Sequence, residues 1–154
     1  MNLDKICEKI LAPVGGELNA ESMQHLNGDQ ITLVAYKMLR DEVMEGGFIQ
    51  LIHNGLGAFI FLNPFAKAMR LWGQSLDEAH LEGGKLLHDF SNLIYKGRKL
   101  YEQHSEALTQ PCNDDEFMAL YEQYPDFDEL DDTFVEAEDE ITAAVLRYAK
   151  QYLV

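Results

Sequence analysis

Gln50, His53 and Asn54 stand at steps of three and one within EVMEGGFIQLIHNG, residues 42 to 55. On a helix Gln50 and Asn54 share one side, with His53 beside them, while Phe48, Leu51 and Ile52 fall toward a core. Two amides and an imidazole grouped this way could orient a polar small molecule or pass a proton. The glycines at 46, 47 and 55 offer those side chains a second role, because helix ends leave backbone N–H and C=O groups unpaired that an amide can satisfy. Scaffolding at the glycine breaks is the preferred reading. A small-molecule pocket or uncharacterised enzyme site at Gln50, His53 and Asn54 is its rival.

Other chemistry in the chain is thinner. DEAH, Asp77 to His80, matches a helicase tetrapeptide but follows Ser75 in a helix-start pattern instead of an apolar strand, and no phosphate-binding G-x-x-x-x-G-K-[ST] precedes it. DFDELDD, from Asp126, puts Leu130 and Ala137 where a calcium loop needs oxygen ligands, so a calcium site is not expected. His25, His53, His80, His88 and His104 are scattered, without the paired spacings of a metal site in a helical bundle. Cys7 and Cys112 form no C-x-x-C and suggest two reduced thiols. The expectation is no catalytic residue, no metal and no cofactor.

Charge is the dominant feature. The 154 residues carry 27 acidic and 12 basic side chains, a formal net charge of -15. Such a surface repels nucleic acid and anionic membranes and attracts basic partners. No stretch has the length and apolarity of a membrane span and the start does not read as a signal peptide, which points to a cytoplasmic protein.

The acidic residues are also unevenly placed. No lysine or arginine lies between Lys99 and Arg147, whereas Asp114, Asp115, Glu116, Glu122, Asp126, Asp128, Glu129, Asp131, Asp132, Glu136, Glu138, Asp139 and Glu140 crowd that interval. Phe117, Leu120, Tyr121, Tyr124, Phe127, Leu130 and Phe134 are interleaved with them at spacings that can bury, which distinguishes the stretch from a disordered acidic tail. It is expected to fold and to hold its carboxylates on a fixed partner-binding surface.

The elements that must position these groups read as helices. Phe134, Ala137, Ile141, Ala144, Val145, Tyr148 and Tyr152 mark one face of a carboxy-terminal helix, acidic at its start and basic at its end. Asn113 and Glu116 fit a capping box opening a short helix that Pro125 stops. Asn63 and Pro64 fit a start for a helix ending at Gly73, and Ser75 and Glu78 a second capping box beyond it. Asp29 opens another helix, closed at Gly46 by left-handed backbone. FIQLI and AFIFL have strand-like composition but lack hairpin signals. The reading is an all-α, single compact domain over 1–154 with about seven or eight short helices.

Two blocks carry a family resemblance. Glu42, Gly46, Gly47, Phe48, Gln50, Asn54 and Gly57 form E-x-x-x-G-G-F-x-Q-x-x-x-N-x-x-G, which resembles the hallmark of the DNA mimic protein 19 family. LDDTFVEAEDEI, Leu130 to Ile141, is similar to that family's carboxy-terminal L-D-x-x-F motif, and the resemblance extends over roughly residues 30–152. It implies an all-α, acidic, cytoplasmic and often dimeric protein without known catalysis. The best understood type occupies the DNA-binding face of a transcriptional regulator. Glu45 and LIHNGLG depart from the pattern, so the same partner is not carried over. The leading expectation is thus a non-enzymatic binding protein that engages a basic DNA-binding protein through its acidic surface, with the seven hallmark residues as scaffolding. An immunity-like or structural interaction protein whose acidity is incidental is a further alternative.

Overall fold

A computed structural model describes residues 2–154. Seven α-helices follow one another: α1 (Leu3–Leu11), α2 (Ala20–Met23), α3 (Gly28–His53), α4 (Phe65–Glu78), α5 (Gly84–Leu108), α6 (Asp114–Gln123) and α7 (Asp128–Tyr152). Short 3-10 turns at Ala12–Val14 and Pro125–Phe127 and a π-helical turn at Ala58–Leu62 complete the described residues, none of which is in a strand. The architecture is all-α, although α3, α5 and α7 are long, not short.

Helices α3, α4, α5 and α7 enclose the core, which is aromatic at its centre. Phe134 of α7 lies 5.7 Å from Phe90 and 6.5 Å from both Tyr36 and Phe48, ring centre to ring centre. These rings are buried, and edge-to-face and tilted pairs at such distances add to the burial of their area. A second tie joins three helices at one carboxylate. Trp72 of α4 and Tyr148 of α7 stack 4.1 Å apart, and both donate to Asp29 in the first turn of α3, at 3.0 and 2.9 Å.

Several helix boundaries follow local chemistry. Asn113 and Glu116 form the expected capping box, and α6 stops before Pro125. Helix α4 starts at Phe65, just past the expected Asn63–Pro64 start, with Pro64 at the cap position and no side-chain cap. Asp29 falls in the first turn of α3, but the cap is one turn-half earlier, where Asn27 and Gln30 make a reciprocal pair.

Three expectations about helix ends are corrected: the stop at Gly73, the capping box of Ser75 and Glu78, and the left-handed backbone at Gly46. Helix α4 does not end at Gly73; it runs on to Glu78, so Ser75 and Glu78 lie in its last turns and form no capping box. Gly73 is there because α5 crosses close by: a Cβ on it would meet the Gly84 carbonyl oxygen at 2.6 Å. Packing demand, not helix termination, explains this glycine. At the other break the left-handed residue is Gly47 (φ 77), not Gly46 (φ −148), and the chain resumes helix instead of ending. AFIFL becomes the π-helical turn and FIQLI part of α3, because tertiary burial of Phe48, Ile49, Leu51, Ile52, Ile60 and Phe61 overrides strand propensity.

Candidate acidic interface

The glycine break in α3 is the joint from which the acidic segment is hung. Gly47 has φ 77 and ψ −177, a conformation essentially confined to glycine. A helix interrupted in this way leaves backbone groups without partners, and buried ones must find them elsewhere. The Phe48 N–H donates to Asp131 Oδ1 at 2.8 Å, and the Gly46 carbonyl accepts from the Tyr121 hydroxyl at 2.6 Å. One partner comes from α7 and the other from α6. A Cβ at position 47 would run into the Asp131 carboxylate, so the missing side chain also makes room for the clamp.

The two amides do something different from the expected backbone satisfaction, whereas His53 does meet a helix-end carbonyl. Gln50 Nε2 and Asn54 Nδ2 both donate to Glu42 Oε2, at 2.9 and 3.0 Å, tying the turns after the break to the turn before it. His53 Nδ1 donates to the Leu108 carbonyl at 2.8 Å, which joins α3 to the end of α5. Phe117 of α6 packs on the His53 ring at 4.9 Å. Among the remaining hallmark residues Phe48 is fully buried, and Gly57 lets the Tyr101 ring approach where a Cβ would collide. An apolar groove of about 570 Å³ bounded by Met23, Ile31, Phe59, Phe65 and Leu71 has none of Gln50, His53 and Asn54 in its lining.

The thirteen acidic residues divide by environment. Asp114, Asp115, Glu116 and Glu122 lie on α6, Asp126 in the turn after it, and the others on α7; eleven of the thirteen are exposed. Glu138 and Asp131 are the exceptions. Glu138 is 5% exposed and pairs with Arg40 Nε at 2.5 Å, beside Thr142 and the Tyr36 hydroxyl that bonds it. Its charge is neutralised from inside the fold.

Asp131 is half-buried in the clamp, and burial pushes its carboxyl up to about 6, with Asp128 and Asp132 adding to the rise. The Phe48 N–H favours the charged form but does not offset that burial. Two further members make local contacts. Glu116 Oε1 accepts from the Asn113 N–H at 3.1 Å, and Asp126 lies 3.8 Å from His104.

Asp114, Asp115, Glu122, Asp128, Glu129, Asp132, Glu136, Asp139 and Glu140 are in no ion pair among the described residues. On α7 they follow a pattern: Leu130, Phe134 and Ile141 face the core, while Glu129, Asp132, Glu136, Asp139 and Glu140 recur at three- and four-residue steps on the outer side. Helix α6 has no fully buried residue and is held by half-buried Phe117, Leu120 and Tyr121.

Sequence reading did not anticipate the roles of Tyr121 and Asp131 at the glycine break. The available signal was the glycine pair itself, whose freed backbone groups required one donor and one acceptor from elsewhere. Among the described residues no helix is long and apolar enough to cross a membrane.

The family model described as DMP19-like protein matches residues 24–152, a span that contains both the glycine break and the acidic helices. The chain is 34% identical over 121 residues to the DNA mimic protein DMP19 of Neisseria meningitidis serogroup B, an alignment covering 78% of this chain and 66% of that relative. The chain thus spans just under two thirds of the relative's length. On the match across most of its residues, the protein belongs to the DMP19-like family.

Proposed function

We propose that the protein is a non-enzymatic DNA mimic whose exposed carboxylates on α6 and α7 occupy the DNA-binding face of a basic protein, such as a transcriptional regulator. The observation that carries this reading is the unpaired acidic row on the outer side of α7. Glu129, Asp132, Glu136, Asp139 and Glu140 span eleven residue steps, about 16 Å of helix axis, or one carboxylate per roughly 4 Å. A single DNA strand carries one phosphate per about 3.4 Å. The charge density along the row is therefore close to that of a nucleic-acid backbone. Pro125 and the 3-10 turn keep α6 from extending the same rod, so its carboxylates add a second acidic segment, which Tyr121 ties to the glycine break. The name of the Neisseria relative, a DNA mimic, supports the same reading.

Immobilised protein should retain DNA-binding proteins from a low-salt lysate of its source cells and release them to duplex DNA or to raised salt. The triple reversal Asp132→Lys, Glu136→Lys and Asp139→Lys should abolish that retention. Asp131 is left unchanged because it holds the fold. No basic protein retained, or retention unaffected by both competitor DNA and the reversals, would overturn the reading.

A further inference from the structure

We propose that Cys112 is an oxidation site for small uncharged peroxides, with His53 as the base that takes its thiol proton. This site is separate from the acidic-surface reading and does not rest on it. The Leu108 carbonyl can only accept, so His53 Nδ1, 2.8 Å away, carries a hydrogen. In the neutral ring Nε2 is then an acceptor, and it lies 3.9 Å from Cys112 Sγ. A nucleophile within reach of a base that a third group orients gives the thiol proton a path to that base during attack. The Phe117 ring, 4.9 Å from the imidazole, helps to fix its plane.

Cys112 is half-buried and free, in the link between α5 and α6, one residue before the Asn113 cap. Cys7 provides an internal contrast. It is 1% exposed, its sulfur donates to the Leu33 carbonyl at 3.9 Å with no imidazole hydrogen-bonded to it, and burial pushes its thiol up to about 12.

The surroundings select the oxidant. Asp114, Asp115 and Glu116 fill the first turn of α6 and repel anionic disulfides, whereas hydrogen peroxide carries no charge. In the step, His53 Nε2 accepts the thiol proton and the sulfur attacks one peroxide oxygen. The S–O bond forms as the O–O bond breaks, and the departing hydroxide takes the proton from the imidazolium as water. The sulfur is oxidised by two electrons to a sulfenic acid, and the peroxide is reduced.

The test treats the full chain with hydrogen peroxide, traps sulfenic acid with dimedone, and reads peptides containing Cys7 and Cys112 by mass spectrometry. Cys112 should label at least about tenfold faster than Cys7, and faster in the folded chain than in the same chain unfolded in urea. His53→Asn keeps an N–H for the Leu108 carbonyl but removes Nε2, and should slow Cys112 labelling by about tenfold or more without changing Cys7. Equal labelling of the two cysteines in the folded chain, or no acceleration over the unfolded chain, overturns the proposal even if the variant does not fold. Unchanged Cys112 labelling in a variant whose circular dichroism and melting match the parent also overturns it.

Discussion

At the scale of single residues, Asp131 separates two uses of a carboxylate in one acidic stretch. It lies between Asp128 and Asp132 in sequence, yet its oxygen accepts from the Phe48 N–H inside the clamp while both neighbours face solvent. Asp131→Ala removes that acceptor and leaves a buried N–H unpaired, so it should cost about 1 to 3 kcal/mol in urea unfolding. Asp131→Asn keeps an acceptor, so it should be close to neutral at low pH, where the Asp131 carboxyl is itself protonated.

The pH dependence separates the two terms. A carboxyl raised from 3.8 to about 6 binds more protons in the folded chain than in the unfolded one. Its contribution to stability is therefore complete below the unfolded value and lost as pH rises through about 6. Asp131→Asn should accordingly gain stability relative to the parent as pH is raised across that window; a difference that stays flat would show that burial does not govern this group.

At the scale of elements, α6 is the least anchored helix of the acidic surface and α7 the most. Phe134, Ile141, Ala144 and Val145 root α7 in the core, whereas α6 relies on half-buried rings and one hydroxyl. Local opening free energies follow such differences in burial and hydrogen bonding. Tyr121→Phe should weaken the attachment of α6 by about 0.5 to 1.5 kcal/mol. Amide hydrogen exchange should show faster exchange in Asp114–Gln123 with α7 unchanged; a uniform change across both helices would mean that the hydroxyl bond does not act locally. The glycine break belongs to this scale as well. It bends α3 where α6 and α7 must reach it, and its exposed backbone groups are the points they grip.

At the scale of the whole molecule, the acidic surface works against the fold that carries it. Glu136 has Asp132, Asp139 and Glu140 within one helical turn, all of the same sign, and such pairs destabilise a helix. Glu136→Lys should therefore raise the melting temperature by about 1 to 3 °C and, under the proposed function, weaken capture of basic partners. Opposite changes in stability and binding would mark a surface kept for recognition; parallel losses would instead show that Glu136 supports the fold. The helices and the capping of α6 were legible in the sequence, because apolar period and cap chemistry are local. So was the concentration of charge, and the hallmark residues were enough to suggest the family. Gly73, read as a stop, and Ser75, read as a start, misled because the close approach of α5 is a non-local demand. Amino-acid order by itself determined that thirteen carboxylates would lie together without an intervening lysine or arginine. Only the tertiary structure decided that Asp131 and Glu138 are withdrawn from solvent, since a carboxylate's environment depends on Phe48 and Arg40, which approach it from a helix distant in the chain.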